Sequence, residues 1–113
     1  MVSRRSVRKR VSEAIMISNA MTGESLGRVG NLSVDGMMLI TSHDVPDECL
    51  YQVQFQLRDR EGLAHKLELG VQCLWSEAAR VERTFWVGCK IIDISEPEQR
   101  LLDDWVERAA ETV

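Results

Sequence analysis

The sequence predicts a mainly β fold, a six-stranded antiparallel barrel followed by one C-terminal α-helix. Three observations predict it. Tyr51, Val53, Phe55 and Leu57 alternate strictly with Gln52, Gln54 and Gln56, the period-2 pattern of a strand with one buried and one wet face. Clusters of turn-forming residues interrupt the apolar runs at hairpin spacing. At Ser95 the apolar spacing changes from every second residue to that of a helix. A chain of 113 residues makes one domain, divided into a flexible basic arm at 1–10, the barrel at 11–94 and the helix at 95–113.

The elements follow in order. Val11 to Ser18, containing Ala14, Ile15, Met16 and Ile17, reads as the first strand. Asn19-Ala20-Met21-Thr22-Gly23 supplies turn residues. Ser25 to Ser33 is the second strand, and Val34-Asp35-Gly36 a turn in which Asp-Gly tolerates positive φ. Met37 to Ile40 forms the third strand and Val45 to Glu48 a loop. The alternating Tyr51–Leu57 run is the fourth strand, and Arg58 to Gly62 a charged hairpin connection. Leu67, Leu69, Val71, Cys73 and Trp75 share one phase of a long fifth strand. Ser76 to Arg83 is polar and reads as a mobile loop, and Phe85, Val87, Cys89 and Ile91 mark the sixth strand. Ser95 and Glu98 have the spacing of a capping box, with Pro97 tolerated in the first turn. Leu101, Leu102, Trp105, Val106 and Ala109 then form one apolar stripe, which packs on the barrel or plugs an open end. Closing the barrel removes exposed strand edges.

Composition narrows the function. No apolar run is long enough to span a bilayer, and no apolar stretch follows the basic start as a secretory signal requires. Cys49, Cys73 and Cys89 are odd in number and contain no CxxC pair. This argues against a disulfide framework or a zinc site and fits buried thiols in a reducing cytoplasm. The net charge of −4 hides an asymmetry. Five of the fourteen Lys and Arg residues lie in 4–10, leaving nine cations against eighteen acids elsewhere. Such a body repels nucleic acid, while the arm can grip a small anion or a phosphate backbone, or fold onto the body's own acids.

Two short segments carry most of the functional information. One is Arg4-Arg5-Ser6-Val7-Arg8-Lys9-Arg10, and the other is Asn31-Leu32-Ser33-Val34-Asp35-Gly36. In this order and at this distance they resemble the RxxxR and [D/N]xSxxG signatures of the PilZ domain family. The first is matched by Arg4-x-x-x-Arg8, with Arg5 as an extra cation, and the second by Asn31-x-Ser33-x-x-Gly36. The Leu74-Trp75 strand end, the Val87-Gly88 run before Ile91-Ile92-Asp93, and the helix entry from Ser95 to Leu102 are similar to that family as well. The resemblance therefore covers nearly the whole chain.

The resemblance implies a PilZ-type barrel and a non-enzymatic receptor for the bacterial second messenger cyclic di-GMP. Arg4 and Arg8 would then engage guanine and phosphate, helped by Arg5. An arginine fork matches guanine O6 and N7, and the same guanidinium pairs with phosphate. Asn31 and Ser33, two apart on a strand, would read the base edge from the barrel surface, and Gly36 would allow close approach. Trp75 is a further candidate for packing against the ligand, against the alternative of a core or rim tryptophan. The family also implies an unidentified protein effector, with motility or biofilm regulation among the outputs.

No pattern of catalytic residues appears. Ser33 lacks a nucleophile-elbow context, and no phosphate-binding GxxxxGK[ST] is present. His43 and His65 have no partner pattern for a metal or a general base. Asp103, Asp104, Glu96 and Glu98 read as solvated helix surface, and Met16, Met21, Met37 and Met38 as barrel packing. No metal, catalytic residue or cofactor is expected, and the state can be monomer or dimer. Two other readings stand beside the receptor: a PilZ-like adaptor that works only through protein contacts, and a small nucleic-acid-binding barrel. The scarcity of aromatics and the acidic body disfavour the last.

Overall fold

The computed structural model describes residues 9–10, 14–42, 44–45 and 48–111. Arg4, Arg5, Arg8 and His43 lie outside the described residues. The strands are β1 (Lys9–Arg10), β2 (Met16–Asn19), β3 (Ser25–Leu32), β4 (Gly36–Thr41), β5 (Leu50–Arg58), β6 (Ala64–Ala78) and β7 (Phe85–Asp93). One helix, α1 (Glu96–Glu111), follows. The ring β3-β2-β5-β6-β7-β4 is antiparallel throughout and closes through β3–β4 pairing, so it is the expected six-stranded barrel with a C-terminal helix.

The two-residue β1 is additional. It lies on the edge of β3 opposite β4, pairing Lys9 with Leu32 and Arg10 with Asn31, while β2 pairs with the other end of that edge. Of the expected Val11–Ser18 strand, residues 11–13 lie outside the described residues and Met16 to Ser18 lie in β2, which runs on to Asn19. The described sheet also takes in Lys9 and Arg10 of the predicted arm. The register of β3 shifts between Val29 and Asn31, leaving Gly30 as the extra residue of a bulge, which bends the strand.

Alternation sets the inside of the barrel as expected. Val53, Phe55, Leu57, Leu67, Leu69, Val71, Cys73, Val87 and Cys89 are all buried. Leu102 and Val106 of α1 join the same core. Ser95 caps the helix as predicted: its hydroxyl lies 3.3 Å from the Glu98 amide and donates to the Glu98 carboxylate at 2.9 Å. The other Glu98 oxygen accepts the Glu68 amide at 2.9 Å, which ties the helix start to β6.

Several expectations change. Met37 is fully buried, but Met16 and Met21 are exposed and Met38 faces outward from β4. They occupy the outer phase of the pleat or a turn, where size and apolarity do not decide burial. The predicted Ser76–Arg83 loop is shorter than expected, because β6 runs on to Ala78 and pairs it with Phe85. Asp104 is not merely solvated: it accepts Arg60 at 2.8 Å and Arg108 at 3.1 Å, joining the β5–β6 hairpin to α1. His65 does have a partner, the Asp59 carboxylate at 2.7 Å.

The predicted turns hold for stated reasons. Asn19 Oδ1 accepts the Met21 amide at 2.8 Å, and Gly23 has φ +80°. Asp59 Oδ1 accepts the Glu61 and Leu63 amides, each at 2.9 Å, and Gly62 has φ +84°.

Candidate functional site

The outer face of β3, β4, β7 and β6 carries most of the described candidates. Because register is shared across these strands, outward residues fall into rows. One row runs Asn31, Met38, Gly88, Trp75, each paired with the next across a strand boundary. A second runs Gly36, Lys90, Gln72. A third, on the other side, runs Met16, Arg28, Ile40, Trp86, Glu77. Three strand spacings separate Asn31 from Trp75, roughly 14 Å.

Trp75 reaches this face through a bulge. Strict alternation from Leu67 would aim position 75 inward, but the register shifts between Cys73 and Trp75, with Leu74 as the extra residue. Trp75 is therefore 42% exposed and is not a core residue. Its indole lies against the backbone of Gly88, where a Cβ would overlap the ring. Beneath it, Cys73 and Cys89 point inward, with their sulfurs 3.4 Å apart as free thiols. The hydrogen bond between them pulls the Cys73 thiol below its ordinary range, against burial that pushes it up.

Asn31 sits half-buried on the same face, its amide 3.9 Å from the Met38 sulfur. Ser33 behaves differently from the expectation. It lies beyond the end of β3 and is fully buried, so it does not share the exposed face with Asn31. Its hydroxyl lies 3.0 Å from Asp35 Oδ1 and 3.1 Å from the Gly36 carbonyl, which its own amide also reaches at 2.9 Å. Its position in this structure is that of a turn-shaping residue. The Gly30 bulge and the end of pairing at Leu32 break the two-residue phase.

Gly36 likewise differs. The glycines with positive φ among the described residues are Gly23, Gly27 and Gly62. Gly36 instead opens β4, buried, opposite Lys90.

The 33–36 turn is anchored from two sides. The Asp35 carbonyl accepts the Ile91 amide at 2.9 Å, and the Val34 carbonyl accepts Gln99 Nε2 at 3.1 Å. The turn is thereby tied to both β7 and α1. The sequence reading gave no site role to Lys90, Gly88 or Gln99. Only the register across β4 and β7 brings the first two to this face, and nothing local to their segments signals it.

The face can accept a flat, polar, anionic molecule. Trp75 presents a ring held over Gly88, and Asn31 is an amide side chain on the same face. Among the described residues no cluster of His, Cys, Asp or Glu is arranged to hold a metal ion. No helix among them is long and apolar enough to cross a membrane.

The PilZ domain model matches residues 3–108. No curated protein sequence matches the chain. Among solved structures, the Bacillus subtilis inhibitor of motility, MotI/DgrA, superposes with a TM-score of 0.81 at 12% identity. That likeness covers 99% of this chain and 53% of the other, so the chain spans about half the length of that relative. The PilZ domain of YcgR from Escherichia coli, solved with c-di-GMP, superposes with a TM-score of 0.71 at 14% identity. There the likeness covers 96% of this chain and 92% of the other. At these identities the superpositions establish the fold, and the domain match over nearly the entire chain establishes the family: this protein belongs to the PilZ domain family.

Proposed function

We propose that this protein is a receptor for cyclic di-GMP that signals to a protein partner. The observation that carries the proposal is the pairing of Lys9 and Arg10, just after the arginine motif, with the strand that carries Asn31. Lys9 and Arg10 are pinned opposite Leu32 and Asn31. This pairing sets the segment that follows the arginine motif beside the start of the Asn31–Gly36 segment. The c-di-GMP carried by the similar YcgR domain supports the same ligand class.

In this reading Arg8 and Arg4 reach guanine and phosphate from the arm, with Arg5 assisting, while Asn31 addresses a base edge from β3. Trp75 walls the far end of the row. Ser33 holds the turn's shape and Gly36 keeps its flank bare. Ligand binding draws the basic segment across the outer face, so a partner meets a different surface in the bound and free states. In this reading the protein acts by binding, as a receptor.

Calorimetric titration with cyclic di-GMP tests this, with GTP and cyclic di-AMP as controls. Saturable, selective binding is the expected result. Arg8→Ala should weaken it by roughly 5- to 150-fold, the value of one bidentate guanine contact of about 1–3 kcal/mol. Absence of any heat or thermal shift at high ligand concentration overturns the reading and leaves a protein-binding adaptor.

A further inference from the structure

We propose that Lys90 is the barrel's own phosphate contact, a cation on β7 that meets a phosphodiester of the bound cyclic dinucleotide. This rests on the receptor reading above and goes beyond its motifs.

Four observations place it. Lys90 pairs with Gly36, so it stands directly across the strand boundary from the last residue of the second motif. It lies two residues beyond Gly88 on β7, which puts both on the outer face. It is exposed, and it forms no ion pair among the described residues. Its neighbours across the two strand boundaries, Gly36 and Gln72, carry no charge.

The surroundings make this lysine unlike an ordinary surface cation. With glycine at 36 and at 88, two of the four positions around it present backbone only. Trp75 covers Gly88, so the long aliphatic stem can lean toward Gly36 and the motif turn. Asn31, Met38 and Trp75, on the neighbouring row of the same face, are uncharged. Elsewhere the body is acidic, with nine cations against eighteen acids outside residues 4–10. An exposed cation with no ion pair among the described residues, beside the motif turn, is where a dianionic ligand finds its complement.

The arm and the barrel then divide the work. A cyclic dinucleotide carries two phosphates, and cations on one side alone leave its second face without a partner. A lysine on a paired strand has its backbone fixed, so its contact costs only the ordering of a side chain.

The test is calorimetric titration of the full chain with cyclic di-GMP, comparing wild type with Lys90→Gln and Lys90→Arg. Lys90→Gln should weaken binding by about 5- to 20-fold, while Lys90→Arg stays within about threefold. Raising salt from about 50 to about 300 mM should weaken the wild type more than Lys90→Gln, because one screened charge pair is missing in the variant. Thermal midpoints of all three should agree, since the side chain is exposed. Wild-type binding with an unaffected Lys90→Gln variant overturns the assignment and leaves the receptor reading intact. Equal weakening by Gln and Arg also overturns it, since the effect would then follow shape and not charge. A wild type that takes up no cyclic di-GMP overturns both.

Discussion

Trp75 lies across Gly88, its indole filling the space that a side chain at position 88 would need. The two residues pair directly between β6 and β7. The glycine leaves a notch in the outer face, and the ring covers bare backbone that would otherwise meet water. Such a ring over a strand glycine stabilises the pair and holds the indole flat against the sheet.

Gly88→Ala should therefore displace Trp75. Overpacking of this kind typically costs about 1–3 kcal/mol. The expected outcome is a lower urea midpoint together with weaker cyclic di-GMP binding, read by denaturation and titration on the same sample. Unchanged stability would mean that the ring swings aside freely.

Ser33→Ala should behave as a turn mutation. Its buried hydroxyl donates within the turn, to Asp35 or to the Gly36 carbonyl. Loss of such a bond costs about 0.5–1.5 kcal/mol. A fall in unfolding free energy of that size is expected, with ligand affinity reduced alongside it. A large loss of affinity with stability unchanged would instead make Ser33 a direct ligand contact.

Gln99→Ala should loosen the turn from the helix. The Val34 carbonyl would lose its donor at 3.1 Å, while the Asp35 carbonyl keeps the Ile91 amide. Amide hydrogen exchange checks this: faster exchange at residues 33–36 and in the first turn of α1 is expected, with β5 and β6 unchanged.

Acid should release the β5–β6 hairpin from α1. Burial pushes the Asp104 carboxyl up, but hydrogen bonds and charge from Arg60 and Arg108 more than offset it and hold it below its ordinary value. The Asp59 carboxyl is also held low, chiefly by the His65 hydrogen bond and then by the Leu63 amide. A carboxyl whose folded-state pKa is depressed contributes stability that is present above its unfolded value, near 3.9, and is lost as pH falls through the folded value. The thermal midpoint of Asp104→Asn should thus lie below wild type near neutral pH and converge with it toward about pH 2. A gap that stays constant across that range would remove Asp104 from the acid response.

What the chain determines by itself is local. The Gln-interrupted run at 51–57 sets its own inside and outside, because a strand's side chains alternate whatever it pairs with. Ser95 and Glu98 define a helix start from four residues, and Asn19 to Gly23 defines a turn from five. The two motifs are likewise legible as residue types in order. The tertiary structure decided everything that depends on register between strands. The bulges at Gly30 and Leu74 reset the phase of β3 and β6, turning Trp75 outward and separating Ser33 from the face that holds Asn31. Pairing with β4 and β6 brought Lys90 and Gly88 to the motif turn. No short window of sequence contains that information, because a bulge and a register are properties of two strands and of the hydrogen bonds that both must satisfy.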